Sequence, residues 1–220
     1  MIQNGRVRLA LHQRKSGAGT PLLLLHSLYG SSAEWGAEVD GWPGAVFALD
    51  FSGHGASAWI RGGSYHVEHF LSDADLALRR VGPAALAGAG AGAWYALLLA
   101  GARADRVPGC LLLPGRGLEG AGPEPDPLDV RRLLPDAAGV AAFVGDCDPY
   151  CQGMEGDPRP PGFIEPFART ARRVLLVEDG RAMPPWWQRV RDRGGADAGA
   201  GLAAGLATLA GALAPALEDG

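Results

Sequence analysis

The sequence predicts an α/β protein, a mostly parallel sheet covered on both faces by helices, built as one domain over residues 1–220. Three observations predict it. Six short runs (22–25, 45–49, 84–87, 109–113, 140–144 and 174–177) are almost wholly apolar, as strands buried on both faces are. Helical periodicity fills several of the intervals between them. One run ends in Gly88-Ala89-Gly90-Ala91-Gly92, small residues that suit a sharp turn from strand into helix. With 220 residues and 47% hydrophobic content, the chain is able to bury one substantial core.

Taken in order, residues 7–13 alternate apolar and polar and predict an antiparallel edge strand before the turn at 15–20. The strand at 22–25 runs into His26-Ser27-Leu28-Tyr29-Gly30, and that at 45–49 into Asp50-Phe51-Ser52-Gly53-His54-Gly55-Ala56-Ser57. Val67, Phe70, Leu71, Ala74 and Leu78 share one face of a helix over 67–81. The run at 84–87 leads through the glycine turn into a helix at 94–100. After the strand at 109–113, residues 114–138 are rich in Gly, Pro and Asp, with room for one short helix at 128–134. The run at 140–144 ends in Gly145-Asp146-Cys147-Asp148, and 174–177 is the last predicted strand. Leu202, Leu206, Leu209, Leu213 and Leu217 recur every three to four residues and predict a final helix, despite glycines that each cost ~1 kcal/mol there. The Gly-Ala stretch at 194–201 reads as a loose approach to it.

These segments resemble the α/β-hydrolase family from about Asn4 to the C-terminal helix. Pro21 to Ser32, followed by Trp35, resembles its first core strand and His-Gly-type loop. Asp50 to Ser57 matches the D-x-x-G-H-G-x-S loop at every fixed position. Gly88 to Gly92 has the layout of the G-x-S-x-G nucleophile elbow, with Gly90 in the place of the serine. The resemblance implies an acid at Asp148 in the G-D-x-D turn. It implies a histidine after the last strand, where the chain reads Asp179-Gly180-Arg181-Ala182-Met183-Pro184, with Ala182 at the histidine position. The last histidine of the sequence is His69, so two of three triad positions are vacant. Glycine offers no attacking atom, which excludes an acyl-enzyme through position 90. The oxyanion hole implied by the resemblance needs only backbone N–H groups, those of Leu28 and Ala91. With the stretch at 114–138 too short for a helical lid, the lid domain is expected to be reduced or absent and the site open.

Asp148 and His54 are the candidate acid and base. The structural reading stands ahead of this one: Asp148 as a carboxylate paired with Arg181, and His54 and His26 as histidines that brace their loops through hydrogen bonds. Tyr29, Trp35 and Trp94 fall near the active edge and favour a flat aromatic acyl group as substrate. His66 and His69 share a helical face, but no further Cys, His or clustered carboxylate completes a metal site there, and neither a metal nor a cofactor is expected. Cys110, Cys147 and Cys151 read as free, inert thiols, none with an assignable histidine partner.

Three functions fit. One is acyl transfer from a thioester, on a carrier protein or small molecule, to a thiol or amine acceptor, which for a bulky acceptor is a peptide. The family recurs in such roles in bacterial secondary metabolism, and the association is one of fold. Another is a non-hydrolytic cyclase, isomerase or decarboxylase run by Asp148 or His54. The third is a pseudo-hydrolase that binds a ligand or partner. A net charge of −4 gives no footprint for nucleic acid or anionic membrane. No apolar run approaches the ~20 residues of a membrane span, and residues 1–5 lack the features of a signal peptide, so the cytoplasm is the expected compartment. Oligomeric state is left open.

Overall fold

The computed structural model describes residues 1–60, 65–119, 147–148, 151, 156, 159–160, 162–180 and 183–214. In chain order the strands are β1 (Ile2–Asn4), β2 (Val7–Leu9), β3 (Leu11–Leu25), β4 (Gly44–Leu49), β5 (Ala85–Ala89), β6 (Cys110–Leu113), β7 (Val174–Leu176) and β8 (Ala196–Asp197). The helices are α1 (Val67–Val81), α2 (Ala91–Ala102), α3 (Glu165–Thr170), α4 (Trp187–Arg191) and α5 (Leu202–Leu213). β1 and β2 form an antiparallel hairpin. The main sheet has the order β4-β3-β5-β6-β7-β8.

β3 meets β4 twice. Leu22 to Leu25 lie in parallel register with Val46 to Leu49, whereas Leu11, His12 and Gln13 face Leu49, Ala48 and Phe47, so the numbering runs in opposite senses. The chain crosses the start of β4 between the two arms. Gly44 permits the crossing, because a Cβ there would sit 2.1 Å from the Thr20 carbonyl oxygen. The edge strand expected at 7–13 is thus divided between β2 and β3. It breaks at Ala10, whose N–H donates to Ser57 Oγ and whose carbonyl accepts from Asp50 N–H.

Alternation along the strands sorts side chains between two cores. Leu23, Leu25, Leu86, Cys110, Leu112, Val174 and Leu176 join α1, α2, α3 and α4 on one face. Leu22, Leu24, Ala85, Ala87, Leu111, Leu113 and Leu175 join α5 and the segment around Val39 and Trp42 on the other. α2 is buried on every side from Ala91 to Ala100, which explains its unbroken apolar sequence. Its end lies against α3, where a Cβ on Gly101 would meet the Phe167 backbone at 2.5 Å.

The far end of the sheet differs from the sequence expectation. β6 pairs directly with β7, Cys110 opposite Val174 and Leu112 opposite Leu176, and β8 extends the sheet beyond β7. The run at 174–177 is therefore not the last strand. β8 escapes the pattern because it is two residues long, both side chains are exposed, and its pairing is carried by backbone. Of the stretch expected at 114–138, only residues 114–119 are among the described residues. The predicted strand at 140–144, the helix at 128–134 and Leu217 fall outside the described residues.

Candidate functional site

At the end of β5 the chain turns into α2 through Gly90, whose φ of 53° and ψ of −120° disfavour any residue with a Cβ. Its flanking glycines are needed for contact. A Cβ on Gly88 would lie 2.2 Å from the Gly92 carbonyl oxygen, and one on Gly92 2.0 Å from that of Leu25. The turn thus keeps an elbow's backbone and presents no side chain at its apex.

The N–H groups of Leu28 and Ala91 converge on a single oxygen. Both donate to the carbonyl of Arg116, at 3.1 and 2.8 Å. These lengths are those of donors aimed at an oxyanion, and Ala91 opens α2, whose N-terminal field favours negative charge. The Leu28 loop is fixed by Glu34, whose carboxylate accepts from Ser27 N–H and Ser27 Oγ, both at 2.8 Å. Tyr29 follows with φ of 63°.

Arg116 belongs to a segment shaped to the elbow. A Cβ on Gly90 would lie 2.2 Å from the Arg116 carbonyl oxygen, one on Gly115 2.6 Å from Gly90 N, and one on Gly117 2.7 Å from Leu28 Cβ. The buried Leu118 follows, and its carbonyl accepts from Trp186 Nε1 at 3.2 Å. Backbone of Gly115 and Arg116 therefore fills the space where the resemblance expects a serine side chain. Above it, among the described residues, Leu28, His54, Ala91 and Tyr95 line a crevice of about 10 Å³, room for at most one water. The contact of Gly115 and Arg116 with the elbow is not among the sequence expectations. The signal was the pair of glycines directly after β6, legible only once β6 and the turn are seen side by side.

The Asp50-to-Ser57 loop holds the other wall. Burial raises the Asp50 carboxyl, but N–H donors from Ala56 and Ser32 and the ring of His12 outweigh it and hold the group below the usual carboxylate range. A Cβ on Gly55 would strike that carboxylate at 2.6 Å. His26 is fully buried, one ring nitrogen 2.7 Å from the Ser27 carbonyl and the other accepting from Phe51 N–H at 3.1 Å. Burial pushes its pKa down to about 4, against that backbone contact and the Asp50 charge. His54 is committed likewise, Nδ1 donating to the Ser52 carbonyl at 3.0 Å and Nε2 accepting from Tyr29 N–H at 3.3 Å.

Asp148 lies beneath this loop. Its N–H donates to the Gly53 carbonyl at 2.7 Å and its carboxylate accepts from Tyr65 Oη at 2.9 Å. The strand beside β6 is β7, and the first carboxylates after it are Glu178, which pairs with Arg191, and Asp179. Ala182 and Arg181 fall outside the described residues. The loop after β8, Ala198 to Gly201, also lacks a histidine. Among the expected substrate-binding aromatics, Tyr29 is half-buried on the Leu28 loop. Trp94 is buried, with the Arg159 guanidinium 4.9 Å from its ring and Phe163 stacked on it. Trp35 lies in the core on the opposite face of the sheet from Leu28 and Ala91.

Two of the three cysteines have a histidine neighbour that the sequence did not assign them. Cys110 is an inert strand residue, its thiol pushed up to about 12 by burial. Cys147 and Cys151 instead pack beside His54, with Cys151 Sγ 4.0 Å from His54 Nδ1. A hydrogen bond from Cys151 holds the Cys147 thiol below its ordinary range, against the effect of burial. No sequence spacing links position 54 to 147, since the fold alone joins them.

No family model and no curated protein matches the chain. Solved structures do. A hypothetical protein from Pseudomonas aeruginosa PAO1 superposes with a TM-score of 0.65 at 18% identity, covering 95% of both chains. The bottromycin epimerase, solved with bottromycin A2, gives 0.63 at 21% identity over 94% of this chain and 95% of that one. A thioesterase domain from the curacin biosynthetic pathway gives 0.64 at 17% identity over 96% and 97%. With the parallel sheet and its flanking helices, these likenesses establish the α/β-hydrolase fold for this chain. Among the described residues no helix is long and apolar enough to cross a membrane.

Proposed function

We propose that this chain handles a substrate carbonyl without forming an acyl-enzyme, and that in the free protein the Arg116 carbonyl holds the place that the substrate carbonyl takes. The observation that carries the reading is the convergence of Leu28 and Ala91 N–H on one carbonyl oxygen at 3.1 and 2.8 Å, beside a turn with no nucleophile. The reaction best suited is acyl transfer from a thioester, for which a thiolate leaves without a strong acid. An acceptor amine or thiol attacks the carbonyl carbon, and the oxyanion is held by the two N–H groups. The carbon–sulfur bond then breaks, and the acceptor's proton passes to the departing thiolate. A dissected hydrolase that keeps only its oxyanion hole and binding retains roughly 10³-fold catalysis over water, which sets the expected scale.

The bottromycin epimerase neighbour supports a second reading, in which the stabilised oxygen is that of an enolate and the reaction moves a proton. His54 Nε2, on the N–H of Tyr29, and Asp148 behind it are then the acid–base candidates. The thioesterase neighbour favours the first.

Kinetics with an aryl thioester separates the readings. Acyl transfer requires that the thioester disappear only when a thiol or amine acceptor is present, with sequential rather than ping-pong kinetics and no acyl adduct by intact mass. Proton transfer requires exchange of the α-hydrogen with deuterated solvent and no loss of thioester. Binding with neither outcome leaves the chain a non-catalytic receptor and refutes both.

A further inference from the structure

His54, Cys147 and Cys151 each bring one ligand atom to within 4.8 Å of the others, and all three residues are buried. Their backbones are tied together. His54 and Cys147 form an isolated antiparallel bridge, Asp148 N–H donates to the Gly53 carbonyl at 2.7 Å, and Cys151 N–H donates to that of Asp148 at 2.9 Å. The loop packs close against the sulfur, a Cβ on Gly53 standing 2.9 Å from Cys151 Sγ. Two sulfurs and an imidazole thus converge beneath the surface.

We propose that His54, Cys147 and Cys151 form a binding site for a thiophilic divalent cation of the zinc class, with three protein ligands and a fourth position for water. Soft thiolates and imidazole select such ions over magnesium or calcium. Bond lengths of about 2.3 Å to sulfur and 2.0–2.1 Å to nitrogen put these tetrahedral ligands roughly 3.5–3.8 Å apart. The three atoms therefore close in by about 1 Å or less to bind.

Each thiol gives up its proton, so up to two are released per ion. His54 now holds a proton on Nδ1, toward Ser52, and accepts from Tyr29 on Nε2. Coordination through Nδ1 moves that proton to Nε2, and the 3.3 Å contact with Tyr29 N–H gives way. Loading thus reaches Tyr29, the neighbour of Leu28, and this site is coupled to the loop that carries one of the two converging N–H groups.

The test uses the full chain, reduced, stripped with a chelator and titrated with Zn²⁺ or Co²⁺ alone. One equivalent is expected to bind, with thiolate-to-cobalt charge-transfer absorption, proton release and a shift of the Tyr29 amide resonance. Cys147→Ser and Cys151→Ser are each expected to abolish the charge-transfer band. Each should also weaken Zn²⁺ by no less than the ~10–100-fold seen when a residue that merely orients a ligand is lost. Cys110→Ala is expected to keep both. The wild-type titration stands alone if a serine variant fails to fold. Absence of the band in the reduced wild type overturns the site, as does a band that survives both serine substitutions. A Cys147–Cys151 disulfide with a metal-silent reduced form would assign the pair to redox chemistry instead.

Discussion

Two regions on the same edge of the sheet are built in opposite ways. At Gly90 the backbone turns so that two N–H groups converge on one carbonyl oxygen, and the apex of the turn carries no side chain. At His54 the reactive side chains are present, held by a loop whose hydrogen bonds are spent on its own shape. The contrast teaches that the elbow geometry does not depend on its nucleophile. It is fixed by glycines at 88, 90 and 92 that pack against backbone, and the segment Gly115 to Gly117 packs against it in turn. The His54 loop is fixed by side chains, chiefly the Asp50 carboxylate, which accepts from Ser32 and Ala56 N–H, and Ser57 Oγ, which donates to the Asp50 carbonyl.

The largest effect is expected at the elbow. Gly90→Ser combines an unfavourable φ with a Cβ placed 2.2 Å from the Arg116 carbonyl oxygen. Backbone strain and overpacking, each about 1–3 kcal/mol, together predict a loss of about 3 kcal/mol or more in urea unfolding. The variant is also expected to show no burst with a p-nitrophenyl ester. Wild-type stability with a burst would mean that the segment at 115–117 already stands aside.

The next effect belongs to the other wall and is read through pH. His26 has a folded pKa of about 4 against 6.5 unfolded. Below pH 6.5 the unfolded chain binds a proton that the native state refuses, so stability falls as pH drops from 6.5 to 4 and levels off below. The depression corresponds to about 3 kcal/mol across that window. A pH series of unfolding free energies on wild type and His26→Gln checks it, and an equal slope in both would contradict it.

Ser57→Ala is expected to cost about 1–3 kcal/mol, because the buried Ala10 N–H loses its acceptor. A neutral result would mean that the break between β2 and β3 rests on packing alone. Trp186→Phe is the mildest. It removes the 3.2 Å bond to the Leu118 carbonyl at about 1 kcal/mol and is expected to quicken amide exchange at Leu28 and Ala91 together. Exchange that quickens at only one of them would separate the two donors.

The sequence made legible whatever depends on apolar runs and fixed motifs. Strands at 45–49 and 109–113, the helix at 67–81 and the glycine turn stand where residue pattern puts them, within a residue or two. The loop from Asp50 to Ser57 was legible because each fixed residue has a partner nearby in the chain. β8 was not, because a two-residue strand of exposed Ala and Asp carries no apolar signal. The strand expected at 140–144 before Asp148 falls outside the described residues, among which β6 pairs with β7. The meeting of His54 with Cys147 and Cys151, and of Gly90 with Arg116, joins distant segments through tertiary packing. Single-sequence periodicity contains nothing of either.

The most direct measurement of the central claim follows the backbone amides of Leu28, Ala91 and Gly117 by NMR. The titrant is a ketone analogue of an aryl thioester, with a methylene in place of the sulfur. The account predicts that all three resonances shift together and saturate at one Kd, as the ligand carbonyl takes the two N–H groups and the Arg116 segment withdraws. Binding of the analogue with those three amides unmoved would contradict it.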